Sequence, residues 1–145
     1  MLYAEDFPVG REFALGSRAV TADEIKAFAR EWDPLPFHVD DEAAARGPFG
    51  GLVACGAHSL AMFSRLMSDA VISRSAVIAG RGARDLSLLR PVRAGAVLTG
   101  AVTVLECDLV SEDAGNVIMR GTLSDEAQET MVVIHIDALI RRRGA

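Results

Sequence analysis

Between Trp32 and Leu60 the chain concentrates residue types that can do chemistry, with three of its five prolines and four glycines among them. Asp33 and His38 lie five residues apart with Pro34 and Pro36 between them. That spacing does not share one helix face, so a stiffened turn must bring the two side chains together. A carboxylate and an imidazole held rigidly within hydrogen-bond reach of one water form an acid/base pair. The alternative is structural: Asp33 caps a helix end or turn, and His38 satisfies a buried backbone group.

The second candidate half of a site is the run Gly50-Gly51 to Gly56, followed by Ala57, His58 and Ser59. A helix opening at Gly56 would present unpaired N–H groups and the positive end of its dipole. Such amides polarise a carbonyl and stabilise the enolate-like oxygen formed when water adds to a conjugated thioester. Gly56, Ala57, His58 and Ser59 are therefore the candidate substrate-binding set. The competing readings are that these glycines only permit turning and close packing, and that His58 and Ser59 cap the helix. Cys55, beside the helix start, reads as a small buried residue. His135 and Asp137 read as an ordinary outward-facing strand pair. Arg81, Arg84, Arg90 and Arg93 carry a weak signal for phosphate contact.

Several elements must position these groups. Arg11 to Val20 predicts a first strand with Phe13, Leu15 and Ala19 on one side. Thr21 and Glu24 make a capping box, and Ile25, Phe28 and Ala29 give the following helix an apolar stripe up to about Trp32, where Pro34 and Pro36 stop it. Asp41 to Arg46 predicts a short helical turn. From about Cys55 to Arg74 the pattern is helical, with Leu60, Phe63, Met67 and Ala70 on one line and Met62, Leu66 and Val71 beside it. So wide an apolar arc predicts a helix buried on most of its circumference.

Four strand-length segments follow, Val77 to Leu89, Val97 to Cys107, Val117 to Leu123 and Met131 to Ile140, separated by turn signals. Val132, Ile134, Ile136, Ala138 and Ile140 alternate with His135 and Asp137, the pattern of a half-buried antiparallel strand. The expectation is an α+β hot-dog fold over residues 1–145 as a single domain, an antiparallel curved sheet wrapped around a long central helix. Open sheet edges predict a homodimer at least.

Composition narrows the function classes. Half of the 145 residues are hydrophobic and a quarter charged, enough for a real core. A formal net charge of −5 argues against a nucleic-acid partner. Two cysteines provide neither a disulfide framework nor a zinc-ligand spacing, so no metal site is expected. Acids near the N-terminus are unlike a secretory signal, and no apolar run approaches the ~18 residues of a membrane span. A cytoplasmic protein without membrane partners is expected.

Asp33-x-Leu35-Pro36-x-His38 with Val39-Asp40 resembles the Asp-x-Asn-Pro-x-His hydratase motif of the MaoC-like dehydratases and (R)-specific enoyl-CoA hydratases. Gly51-Leu52-Val53-Ala54-Cys55-Gly56 is similar to that family's lead into its central helix, and Leu89-Arg90-Pro91-Val92-Arg93-Ala94-Gly95 to its strand-ending turn. The resemblance implies a hot-dog fold and a cofactor-free hydro-lyase in which Asp33 and His38 hold the water that adds to, or leaves, an acyl thioester of CoA or a carrier protein. It also implies that the Gly56 amide binds the thioester carbonyl and that the acyl chain lies along the central helix, often at a dimer interface. Leu35 departs from the motif's asparagine. Two rival expectations remain: a hot-dog acyl-CoA thioesterase, and a non-catalytic acyl-CoA-binding member.

Overall fold

The computed structural model describes residues 1–145. Its elements in chain order are β1 (Glu12–Ala19), α1 (Ala22–Trp32), α2 (Pro36–Val39), α3 (Asp41–Arg46), α4 (Gly56–Ala70), β2 (Val77–Leu88), β3 (Val97–Leu109), β4 (Ala114–Ser124) and β5 (Thr130–Arg141), with single 3-10 turns at Ala4–Asp6 and Ile72–Arg74. The strands form one five-stranded sheet in the order β1-β3-β4-β5-β2, and every pairing is antiparallel. This is the expected antiparallel sheet against one long helix.

The core lies between α4 and the inner face of the sheet. Met62, Phe63, Leu66 and Met67 of α4 are buried against Leu98, Val102 and Val104 of β3, Val117, Met119 and Leu123 of β4, and Ile134, Ala138 and Ile140 of β5. The helix sits close: a Cβ added at Gly121 would lie 2.2 Å from Cζ of Phe63, so the ring rests on bare β4 backbone. The prediction of burial on most of the circumference of α4 is corrected. Ala57, Ala61, Ser64, Arg65, Ser68 and Asp69 are exposed, because the sheet covers one side of the helix only. Arg65 and Asp69 pair across that outer side at 2.7 Å.

Several details differ from expectation, β3 running on to Leu109 and β4 opening already at Ala114. The central helix ends at Ala70 and tightens into the 3-10 turn, whose end is secured by Ser75 Oγ donating to the Val71 carbonyl at 2.7 Å. In β1, Gly16 takes a φ of +82° at a bulge against β3, which reverses the alternation. Phe13 and Leu15 point inward as expected, but Val20 is buried in place of Ala19. No helix is long and apolar enough to cross a membrane.

Candidate active site

The acid is delivered by α1. Thr21 and Glu24 form the predicted capping box, with Thr21 Oγ1 accepting from the Glu24 amide at 3.1 Å and Glu24 Oε2 accepting from the Thr21 amide at 3.0 Å. Ile25 and Ala29 anchor the helix in the core. Asp33 occupies its C-cap position, where its amide donates to the Ala29 carbonyl at 2.8 Å. The backbone role is therefore that of a helix end, while the side chain remains available and is half-buried.

The prolines do more than stop α1. Leu35 is extended, and Pro36 opens the four-residue helix α2, a turn the sequence reading did not anticipate. Proline is favoured at a first helical position because its fixed φ suits the helix and no donor is needed there. This one turn carries His38 inward: it is 6% exposed, and its Nδ1 lies 2.6 Å from the Val53 carbonyl oxygen. A carbonyl only accepts, so Nδ1 carries the proton in this bond, and neutral His38 has its lone pair on Nε2. Nε2 in turn lies 3.7 Å from Asp33 Oδ2, longer than a direct hydrogen bond. Both halves of the structural reading thus hold for the backbone, yet the two side chains also converge.

Beside them opens a cavity of about 440 Å³ whose lining is mostly apolar. His38, Gly56 and Ser59 lie on its wall together with Leu35, Phe37, Phe49, Leu88, Leu89 and Arg90. The aromatic side is ordered by edge-on contacts, with Phe49 5.5 Å from Phe37 and Phe37 4.5 Å from His38 between ring centroids.

The start of α4 also contributes to the wall. Its N-cap is Cys55, buried, whose Sγ accepts from the His58 amide at 3.4 Å, while its carbonyl accepts the Ser59 amide at 3.0 Å. The amides of Gly56 and Ala57 precede this bonding and have no partner inside the helix. Of these two residues, Gly56 lines the cavity and Ala57 faces solvent. Ser59 is buried, and its Oγ donates to the Cys55 carbonyl at 3.3 Å, so it does not cap the helix.

His58 points the other way. Its ring stacks on Phe28 of α1 at 4.6 Å with an interplanar angle of 8°, and its Nδ1 is buried without a hydrogen-bond partner. Burial holds its pKa below the ordinary imidazole value, against an opposing pull from Glu24. The expected binding set is therefore divided: Gly56 and Ser59 meet the cavity with His38, whereas Ala57 and His58 lie outside its wall.

The four arginines do not form one cluster: Arg90 and Arg93 share a pocket, and Arg81 and Arg84 lie outside it on β2. Arg81 reaches Asn116, Arg84 is near Asp85, Arg90 pairs with Glu129 at 3.0 Å, and Arg93 donates through Nη1 to the Phe49 carbonyl at 2.8 Å. The sequence reading missed the Val53 carbonyl and the aromatic wall. A main-chain acceptor leaves no side-chain signature. Phe37 and Phe49, however, flank the catalytic candidates in sequence, and that proximity was a usable signal.

His38, with Asp33 beside it, thus meets a mostly apolar cavity that the N-terminus of α4 also lines, on a sheet-and-helix scaffold. The comparisons with known proteins agree with the scaffold. The structure of the MaoC-like dehydratase from Rhodospirillum rubrum superposes with a TM-score of 0.92 over 100% of both chains at 34% identity. The uncharacterized protein YdeM of Bacillus subtilis (strain 168) is 31% identical over 140 residues, 95% of this chain and 98% of its own. The 3-hydroxybutyryl-CoA dehydratase of Methylorubrum extorquens is 29% identical over 107 residues, 73% of this chain and 66% of its own. The MaoC like domain model matches residues 6–127, and the chain belongs to the MaoC-like dehydratase family.

Proposed function

We propose that this chain is an acyl-thioester hydratase/dehydratase that adds water across, or removes it from, the 2,3 double bond of an enoyl-CoA or enoyl-carrier protein. The observation that carries this reading is the 3.7 Å approach of Asp33 Oδ2 and His38 Nε2 at a cavity that Gly56 also lines. One water at ordinary hydrogen-bond distance from both atoms, about 2.8 Å, fits across that gap. As its oxygen bonds to C3, the Asp33/His38 pair takes one of its protons and a proton is returned to C2. Negative charge gathers meanwhile on the thioester oxygen, where the Gly56 amide and the α4 dipole oppose it. The apolar lining suits the acyl chain, and the relationship to the Methylorubrum dehydratase supports the chemistry. The reaction needs no cofactor, because the thioester itself stabilises the enolate-like intermediate.

The proposed working unit is a homodimer. β2 is an edge strand whose residues are exposed from Ile78 to Leu88, with Ile78, Leu86 and Leu88 among its large apolar side chains. A bare edge of this kind pairs readily with a second copy. Light scattering on the purified chain should return twice the mass of one chain; a monomer at micromolar concentration would remove the dimer from the reading.

The function is tested by following loss of the conjugated thioester absorbance with trans-2-enoyl-CoA substrates of increasing length, with a thiol-release assay alongside. Asp33→Asn and His38→Gln should each lower kcat about 100-fold or more, the usual range for a general acid or base. Free thiol would indicate a thioesterase instead. Calorimetric binding without turnover at any chain length would indicate a non-catalytic binder.

A further inference from the structure

We infer that Arg93 is a positioning residue for the substrate wall: its guanidinium holds the Gly47–Gly51 loop so that the Phe49 ring stands against Phe37 beside His38. This inference rests on the hydratase reading above for its kinetic test only. Arg93 joins the site twice. Its backbone forms an isolated antiparallel bridge with Val53, the residue whose carbonyl holds His38, and the neighbouring Ala54 amide donates to the Val92 carbonyl at 2.8 Å. Its side chain crosses to the loop and donates to the Phe49 carbonyl at 2.8 Å, passing close enough to Gly51 that an added Cβ there would lie 3.6 Å from Nη1.

The loop has few other ties. Gly50 donates back to the Gly47 carbonyl at 3.2 Å, a bond internal to the loop, and Gly47 donates to Ala44 at its root. Phe49 itself is 38% exposed, and its ring is steadied by the edge-on contact with Phe37. Arg93 is thus the polar tie from the body of the protein to the loop tip, and its positive charge is directed at a carbonyl. In this inference the guanidinium serves the loop, and its hydrogen bond to the Phe49 carbonyl is the contact that does so.

The two links separate in a mutant. Arg93→Ala removes the guanidinium but leaves the backbone bridge to Val53, so His38 keeps its acceptor and the aromatic wall alone is loosened. The expected result is a KM raised about threefold to tenfold with kcat within twofold, the scale of one partly exposed charged hydrogen bond. Because the effect runs through Phe49, Phe49→Ala should reproduce it, and the double variant should be no worse than the poorer single one. Arg93→Lys, which also donates to a carbonyl, should restore KM to within about twofold of wild type. The increase should be the same for an enoyl-CoA and for the enoyl-pantetheine thioester that lacks the nucleotide.

Additive effects of Arg93→Ala and Phe49→Ala would overturn the inference, as would a KM effect confined to the CoA substrate, which would make Arg93 a phosphate contact. A readout without substrate keeps the inference independent of the hydratase reading. Chymotrypsin cleavage after Phe49, located by mass spectrometry on the full chain, should be about threefold to tenfold faster in Arg93→Ala than in wild type at equal melting temperature. Equal cleavage rates would overturn the inference even if the wild-type chain hydrates no enoyl thioester.

Discussion

Gly56→Ala separates the chemistry of the helix N-terminus from its stability. A Cβ at Gly56 would lie 2.7 Å from Cδ1 of Leu88, against the 3.5–4.0 Å of an ordinary carbon contact. Leu88 must therefore retreat by about 1 Å. It can do so, because it is 53% exposed at the end of edge strand β2 and the atom in conflict is the tip of a flexible side chain. The crowding penalty should stay near the lower end of the ~1–3 kcal/mol seen for overpacked cores. Gly56 has no positive φ, so alanine gains about 0.4–1 kcal/mol from a less flexible unfolded chain. The two nearly cancel, and the melting temperature should move by no more than about 4 °C. Catalysis should not be spared, since the new methyl and the displaced Leu88 occupy the cavity in front of the amide. A loss of about 100-fold in kcat/KM for enoyl-CoA hydration is expected, comparable to losing one oxyanion donor. The assay is the absorbance decay of the conjugated thioester together with a thermal melt. A variant that melts normally and keeps its rate within twofold would refute the Gly56 assignment. Adding Leu88→Ala to Gly56→Ala removes the clash, and a rate that stays low in the double variant would attribute the loss to the methyl itself.

Further outcomes follow from other parts of the molecule. His58 has a folded-state pKa depressed by burial, so its contribution to stability is complete above about 6.5 and is lost as pH falls below that value. Melts between pH 8 and 5 should show this loss in wild type and a shallower slope in His58→Gln, and identical slopes would refute it. Gly121→Ala inserts a methyl 2.2 Å from the Phe63 ring in the packed core and should destabilise by about 1–3 kcal/mol, measured by urea unfolding. Leu35→Asn alters a residue 45% exposed at the cavity wall, so its melting temperature should stay within about 2 °C while KM for a medium-chain enoyl thioester rises about threefold to tenfold through lost apolar contact. An unchanged KM would remove Leu35 from the acyl-binding surface.

The sequence carried most of the scaffold because its signals were local. Thr21 and Glu24 marked the start of α1, Pro34 its end, and alternation along Met131–Ile140 marked β5. Asp33 and His38 were legible as a pair for the same reason, since two prolines allow few ways to connect them. What escaped was set by non-local packing or by main chain. The bulge at Gly16 inverts β1 through its register with β3; the glycine inside the strand was the local signal of it, but the alternation alone does not record it. The bare outer side of α4 depends on how far the sheet curves, and apolar counting alone overstates its burial. His58 reads like a first-turn cap, yet Cys55 takes that place and His58 turns to Phe28. The Val53 carbonyl that orients His38 has no side-chain identity to read.

That last feature divides the site into parts open and closed to mutational drift. The orienting acceptor is a peptide oxygen, so exchanging the Val53 side chain leaves the acceptor atom in place as long as the extended segment keeps its path. Leu35, Phe49, Leu88 and Arg93 are side chains at or near the surface and can change one at a time. Under the proposed hydratase function, substitutions at these positions would change the shape of the cavity while the proton-bearing nitrogen of His38 stays the same. The asparagine position of the motif, filled here by leucine, lies among these exchangeable side chains at the cavity wall.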